Sequence, residues 1–339
     1  MNTREQGSGL VVGLTGATGH IGSVLLRRLL DDPEIGHVRS VARRPLASAW
    51  ATSAPATGPG ADRLTHTTAD LREPSARRAL EGVDLLFHLA AQVWQGRSAG
   101  SLEAMYGANV EGTRNVMRAR PAAAVFASSA AVYGAWPDNP VPLAEAREPR
   151  PNVECPYALQ KLVAERTCLT EVPRHLIARL TAVLGPHADA RVARAVLGYR
   201  IAVPAITGAA QAVQWLDEND AVEGLLAAGR ALVDGAGLAG QVVNLAPSDW
   251  LGARDVAALA HSRVVELPRR LIVGGAEVGR RLGLSPFGVD RAVLITGPLA
   301  LSGDKAAQLL GWRATKTSAE VLSEALKTDW RGSPRNRQT

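Results

Sequence analysis

The segment Leu10-Val-Val-Gly-Leu-Thr-Gly-Ala-Thr-Gly-His-Ile-Gly22 constrains this chain more than any other. An apolar run leads into Gly16, Gly19 and Gly22 at three-residue spacing, and a helical pattern over His20–Asp31 follows until Pro33. Glycine lets a backbone turn tightly and approach a ligand with no Cβ in the way. Set between a strand and a helix N-terminus, such a turn offers amide donors and the positive end of the helix dipole to a diphosphate. The spacing therefore predicts a dinucleotide-binding loop, and with it a parallel sheet with crossover helices.

The rest of the first half fits that sheet. Apolar runs at Leu10–Leu14, Val38–Ala42, Thr65–Ala69, Asp84–Leu89, Ala123–Ser128 and His175–Leu180 alternate with helical stretches at His20–Asp31, Ser101–Arg118 and Tyr157–Leu169. Ala47–Ala61 and Trp136–Pro156 read as surface loops. Past residue 185 the alternation weakens, with helices expected near 217–230, 268–283 and 318–328. The fold class expected is α/β: a doubly wound parallel-sheet Rossmann domain over 10–185 and a smaller mixed substrate-binding region over 186–330, whose strands are free to return to the main sheet. Residues 1–9 and 331–339 are expected to be disordered tails.

Composition excludes several classes. Of the 339 residues 46% are hydrophobic and 21% charged, so global disorder is out. No apolar run approaches the ~18 residues of a membrane span, and the N-terminus has no apolar signal core, so a cytoplasmic protein without a membrane partner is expected. Cys155 and Cys168 alone make neither a disulfide framework nor a four-ligand zinc site, and no metal is expected. The net charge of +6 is spread along the chain; only four of the 38 basic residues are lysines, and no nucleic-acid motif is present. Nucleic acid is not an expected partner.

Cofactor choice is read at the end of the second strand. An acid there holds the ribose hydroxyl of NAD, whereas arginine accommodates the 2′-phosphate of NADP. The strand ends Val41-Ala-Arg43-Arg44-Pro45, with two guanidiniums and no carboxylate. NADP(H) is preferred, NAD(H) remains possible, and Arg43 ranks ahead of Arg44 as the phosphate partner.

The chemistry is carried by Tyr157-Ala-Leu-Gln-Lys161, a tyrosine and a lysine one helical turn apart. A free phenol titrates near pH ~10, too high for base catalysis at neutral pH. A neighbouring ammonium is expected to pull that value down, which suits proton exchange with an alcohol or carbonyl. Ser128 and Ser129 end the fifth strand, at the sheet edge where ligands bind in such folds.

Together these motifs resemble the extended short-chain dehydrogenase/reductases, the NAD-dependent epimerase/dehydratase family, across nearly the whole chain. Thr15–Gly22 is similar to its TGxxGxxG loop, which implies cofactor contacts from Gly16, Thr18, Gly19, His20, Ile21 and Gly22. Asp70 and Leu71 resemble the acidic–apolar pair beside the adenine. His88-Leu89-Ala90-Ala91 resembles the segment that lines the cofactor, and Asn109–Thr113 the helix that follows. Ser128–Gly134 is similar to the family's serine segment, with Ser129 at the catalytic position, and Pro156–Lys161 to its YxxxK helix. Arg179–Pro186 resembles the R-P-x-x-V-x-G-P turn, with Leu180 where proline is usual, and Leu310-Gly-Trp312 also recurs. The resemblance implies a homodimer through the helices beginning near Ser101 and Tyr157.

Departures from the family bear on substrate. Ser129-Ala130-Ala131 stands where sugar 4,6-dehydratases carry Thr-Asp-Glu, so elimination is not expected. Ala182 replaces the asparagine that many sugar-nucleotide epimerases use on phosphate, and Val213–Glu218 replaces their Arg-Asp-Phe-Ile-His-Val stretch. The two arginines look instead like the NADPH-dependent ketone reductases of the dihydroflavonol-reductase type. The reading favoured is an NADP(H)-dependent oxidoreductase that reduces a ketone, or oxidises the alcohol, of a small organic molecule. Ser129, Tyr157 and Lys161 are its catalytic group, with a sugar-nucleotide epimerase or a non-catalytic NADP sensor as alternatives. Trp94, Trp136, Ser129 and Ala182 are the candidate pocket residues. His88 reads as packing rather than ligation, Cys155 as inert, and Arg191 and Arg194 as a solvated helix face.

Overall fold

A computed structural model describes residues 9–46, 61–93, 100–235, 237–282 and 288–328. The strands are β1 (Leu10–Thr15), β2 (Ile35–Ala42), β3 (Leu64–Thr68), β4 (Leu85–His88), β5 (Ala123–Ser129), β6 (His175–Leu180), β7 (Ala182–Leu184), β8 (Val203–Ile206), β9 (Trp215–Asp217), β10 (Gln241–Leu245) and β11 (Val264–Leu267). Seven of them form one sheet in the order β10-β6-β5-β4-β1-β2-β3. The pairs β1–β2, β1–β4, β2–β3 and β4–β5 run parallel. The order reverses between β1 and β4, the switch point at which doubly wound sheets bind ligands. β7 pairs with β9 and β8 with β11 in two small separate sheets.

The expected strands and helices of the first half are present, with small shifts at their ends. β4 and β6 are buried along their whole length, as strands covered on both faces must be. The helix His20–Asp31 buries Val24, Leu25, Leu26, Leu29 and Leu30 at helical spacing, and its other face stays polar. The helical stretch expected at 101–118 begins as Ser101–Tyr106, widens into a π-turn over Gly107–Glu111 and resumes as Gly112–Met117. Its approach to the chain after β3 is close: a Cβ on Gly112 would stand 2.9 Å from the Leu71 Cβ.

The chain divides into two compact units. The first takes the chain through Ala127, then Val163–Ile177 and Ala228–Gln241; the second takes Ser128–Leu162, Ala178–Ala227 and the chain from Val242 on. The second has its own core, in which Leu184, Val196, Val203, Trp215, Val256, Leu322 and Leu326 are buried together. The three later helices expected from sequence are Glu218–Val233, Arg269–Arg281 and Ser318–Lys327. The last opens with a capping box, in which the Glu320 N–H donates to Thr317 Oγ1 (3.2 Å) and the Thr317 N–H to Glu320 Oε2 (2.8 Å). No helix among the described residues is long and apolar enough to cross a membrane. The expected tails at 1–9 and 331–339 and the loop at 47–61 fall almost wholly outside the described residues.

Candidate active site

The first unit contains the glycine loop. Gly16 has φ +80°, and a Cβ on it would meet the Ala90 amide nitrogen at 2.9 Å. The Gly19 N–H donates to the Gly16 carbonyl at 2.7 Å, closing the turn, and Gly19 then caps the helix His20–Asp31 from an extended conformation. No side chain caps that helix start, so its first turn keeps the anion-binding character of a helix N-terminus. Thr18, His20 and Ile21 are partly exposed around the loop, and Gly22 is buried beneath it. A loop that lacks Cβ atoms at Gly16, Gly19 and Gly22, leading into a helix N-terminus beside Leu89–Ala91, fits a dinucleotide diphosphate.

His88 ties this loop to its neighbours. Thr113 Oγ1 donates to the Asn109 carbonyl (2.7 Å) and so accepts from His88 Nε2 (2.8 Å). His88 Nδ1 is hydrogen-bonded to Thr15 Oγ1 (2.6 Å), which also accepts from the Ala90 N–H (3.2 Å). The Thr113 hydroxyl, already a donor, takes its hydrogen bond from His88 Nε2. The ring is fully buried and lies 5.5 Å from Phe126, so it joins strand to strand. Among the described residues no cluster of three metal-ligating side chains occurs.

Asn109, expected at the cofactor by resemblance, is buried, and its amide grips Gln92. Oδ1 accepts from the Gln92 N–H (2.7 Å) and Nδ2 donates to the Gln92 carbonyl (2.9 Å), which fixes the chain after β4. Asp70 is held by Arg72 in a two-pronged pair, Nε to Oδ1 and Nη2 to Oδ2, both 3.0 Å. That hydrogen bonding keeps the Asp70 carboxyl below its usual range, with the backbone N–H and charge of Arg72 and then the charge of Arg43 adding smaller contributions. Leu71 is buried beside it. Arg43 and Arg44 are exposed after β2, and Arg44 Nη2 donates to the Thr18 carbonyl of the glycine loop at 3.1 Å.

The second unit contains Ser128, Ser129, Tyr157 and Lys161. Ser129 Oγ accepts from the Ala131 N–H (3.2 Å), which caps the short helical turn Ala130–Tyr133. The Ser129 side chain lies close enough to Tyr157 to favour its phenolate. Tyr157 lies in the first turn of the helix Pro156–Glu171 and is 8% exposed; Lys161, one turn on, is 3% exposed, and Ser128 is buried as well.

The electrostatics at Tyr157 bring in influences that the sequence did not name. The sequence assigned Lys161 the task of lowering the Tyr157 pKa. Burial dominates, and the phenol is pushed up to about 12. The largest opposing influence is the charge of Arg291, whose guanidinium carbon lies 5.5 Å from the ring centre, and the Ser129 side chain acts in the same direction. A buried phenol loses the solvation of its anion. Arg291 belongs to no motif, and only packing reveals it. Cys155 is buried nearby, and burial pushes its thiol up, consistent with an inert thiol.

Trp136 is engaged within its own loop. Its Nε1 donates to the Arg150 carbonyl (2.5 Å), and the Arg150 guanidinium stacks 4.7 Å over its ring while bonding Asp138 at 2.5 Å. Ala182 is exposed at the start of β7, and Trp94 lies outside the described residues. Arg191 and Arg194 are exposed on the helix Ala190–Gly198.

Residues 12–246 match the model of a family described as "NAD dependent epimerase/dehydratase family". No curated protein matches the chain. Solved structures with the same fold include DesIV, a dTDP-glucose 4,6-dehydratase from Streptomyces venezuelae with NAD bound (TM-score 0.71, 20% identity, covering 97% of this chain and 98% of that one). A UDP-glucuronic acid 4-epimerase from Bacillus cereus, in complex with UDP-glucuronic acid and NAD, has TM-score 0.68 and 19% identity over 94% of this chain and 99% of its own. MoeE5 with UDP-glucose and NAD has TM-score 0.65 and 23% identity over 94% and 97%.

Proposed function

The chain belongs to the NAD-dependent epimerase/dehydratase family, and from that premise we propose that it inverts a hydroxyl-bearing carbon of a nucleotide-linked sugar. The observation that carries this reading is the half-buried Ser129 beside the buried Tyr157, with buried Lys161 a turn further on and Ala130 and Ala131 next along the chain from Ser129. The set holds one proton-exchanging group and no second acid of the kind elimination requires. Among the activities named for the similar structures, epimerisation needs only such a set.

Tyr157 Oη takes the proton of the substrate hydroxyl as the alcohol is oxidised, and returns it to the same oxygen on reduction. Ser129 Oγ, oriented by the Ala131 N–H, hydrogen-bonds that oxygen in both directions. Lys161 adds positive charge along the same helix. A bound nicotinamide dinucleotide supplies the hydride acceptor and donor; Gly16, Gly19, Gly22 and the first turn of His20–Asp31 would hold its diphosphate. Ala182 lacks the asparagine side chain that many epimerases place on the substrate phosphate, and Val213–Glu218 lacks their Arg-Asp-Phe-Ile-His-Val stretch, so other residues would grip the sugar nucleotide.

A second reading rests on a different observation. β2 leads into Arg43 and Arg44 with no carboxylate, which favours NADP(H) and reduction of a ketone on a small organic molecule. One experiment separates the two. Incubation with a panel of UDP- and dTDP-sugars, followed by NMR, detects inverted product with no change in nicotinamide absorbance if the chain is an epimerase. Steady NADPH consumption with a ketone, and no inversion of any nucleotide sugar, would overturn the first reading in favour of the second.

A further inference from the structure

Arg291 stands on the helix Val289–Thr296, which the sequence did not connect with the chemistry. Ala292, Val293 and Leu294 bury the adjoining positions, and Thr296 Oγ1 bonds back to the Ala292 carbonyl at 2.6 Å. The side chain is therefore anchored at its base, and it is only 18% exposed. Its guanidinium carbon sits over the Tyr157 ring, 5.5 Å from the centre, within the same compact unit.

Other charges surround the phenol. Asp290 Oδ2 lies 3.7 Å from Arg291 Nε, too far for a hydrogen bond. Glu154 is paired with Arg269 at 2.6 Å. Cys155, under the influence of Arg291, Asp290 and Glu154, adds an opposing effect on Tyr157, and Lys161 follows on the same helix. Of the charges acting on the phenol, that of Arg291 is the largest.

We propose that Arg291 is a positioning residue that holds negative charge on Tyr157 during proton exchange, so that the tyrosine is served by a cation across its ring face as well as by Lys161 along its helix. A guanidinium over a neutral ring gains a modest cation–π attraction; over a phenolate it gains a full charge–charge attraction in a partly dry site. The difference between the two states is what favours ionisation. The proposal rests on Tyr157 as the proton-exchanging group.

The test uses the full-length protein with ring-fluorinated tyrosine at its four tyrosines, whose fluorine NMR signals titrate at lower pH than ordinary phenols. Tyr157→Phe assigns the signal. Arg291→Gln should move the Tyr157 titration up by about 1 unit or more, the size expected for loss of an opposite charge at this range. Arg291→Lys should recover at least half of that shift, and the other three signals should stay in place. Arg291→Met serves if the glutamine variant does not fold. A Tyr157 titration unmoved in either neutral variant overturns the proposal. With a turned-over substrate, the tyrosine limb of the pH–rate profile should shift by the same amount. Absence of any turnover would defeat the functional reading above, while the fluorine titration still judges Arg291.

Discussion

Gly22 packs so tightly beneath Gly16 that a Cβ on Gly22 would stand 2.1 Å from the Gly16 carbonyl oxygen. That oxygen also receives the Gly19 N–H, so loop and helix start are locked through one carbonyl. The glycine spacing is thus a requirement of the turn itself before any ligand arrives.

Gly22→Ala should therefore lower stability by about 1–3 kcal/mol, because backbone meets backbone and no flexible side chain can yield. Thermal unfolding reads the loss, and dinucleotide affinity should fall with it. An unchanged melting temperature would show that the loop can open without cost.

Tyr157→Phe removes the hydroxyl that neighbours Ser129 and leaves the ring packed. Turnover should drop at least about a hundredfold, at the low end for loss of an acid–base group. Cofactor affinity, measured by calorimetry, should stay within a factor of about two, since a ring without its hydroxyl keeps its shape and packing. Full activity in this variant would remove Tyr157 from the mechanism.

Arg43→Ala tests the cofactor reading. A paired, charge-assisted contact to a 2′-phosphate is worth ~1.5–3 kcal/mol, roughly 10- to 150-fold in affinity. Wild type should bind NADPH at least about tenfold tighter than NADH, and the variant should lose most of that margin. Arg44 already donates to the Thr18 carbonyl, so Arg44→Ala should disturb the loop and weaken both cofactors. Equal wild-type affinities would count against NADP and against the ketone-reductase reading.

Arg72→Gln frees Asp70 from its two-pronged pair. Because the folded Asp70 carboxyl is held low, the pair stabilises the fold above the unfolded carboxylate pKa of ~3.9 and ceases to do so as pH falls through the lower folded value. Wild type should melt above the variant at neutral pH, and the two curves should converge in acid once Asp70 is protonated in the folded state. A gap that persists in strong acid would assign the effect to packing instead.

The helix Pro156–Glu171 exposes Leu159 and Val163, one turn apart, at 40% and 38%. A homodimer that covers this helix is the proposed assembly. Sedimentation should show two chains at micromolar concentration, and Leu159→Glu with Val163→Glu should yield one. A wild-type monomer would refute the proposal.

Much of this molecule was legible in its sequence because the determining interactions are local. The Gly16–Gly19–Gly22 spacing, the buried apolar runs of β4 and β6 and the one-turn interval between Tyr157 and Lys161 are written within a few residues. Backbone periodicity turns such intervals directly into geometry. The π-turn at Gly107–Glu111 escaped, since a helix widened by one residue has nearly the same pattern as a regular one.

What only the tertiary structure decided are the relations that join distant segments. His88 between Thr15 and Thr113, Arg179 over Tyr133 at 4.7 Å and Arg291 over Tyr157 at 5.5 Å each bring together residues with no periodic relation. The sequence alone determined that Tyr157 and Lys161 share a helix. It could not determine the electrostatic balance at the phenol, because that depends on burial and on which charge packing delivers to the ring face. Both are properties of the folded volume, and chain spacing does not encode them.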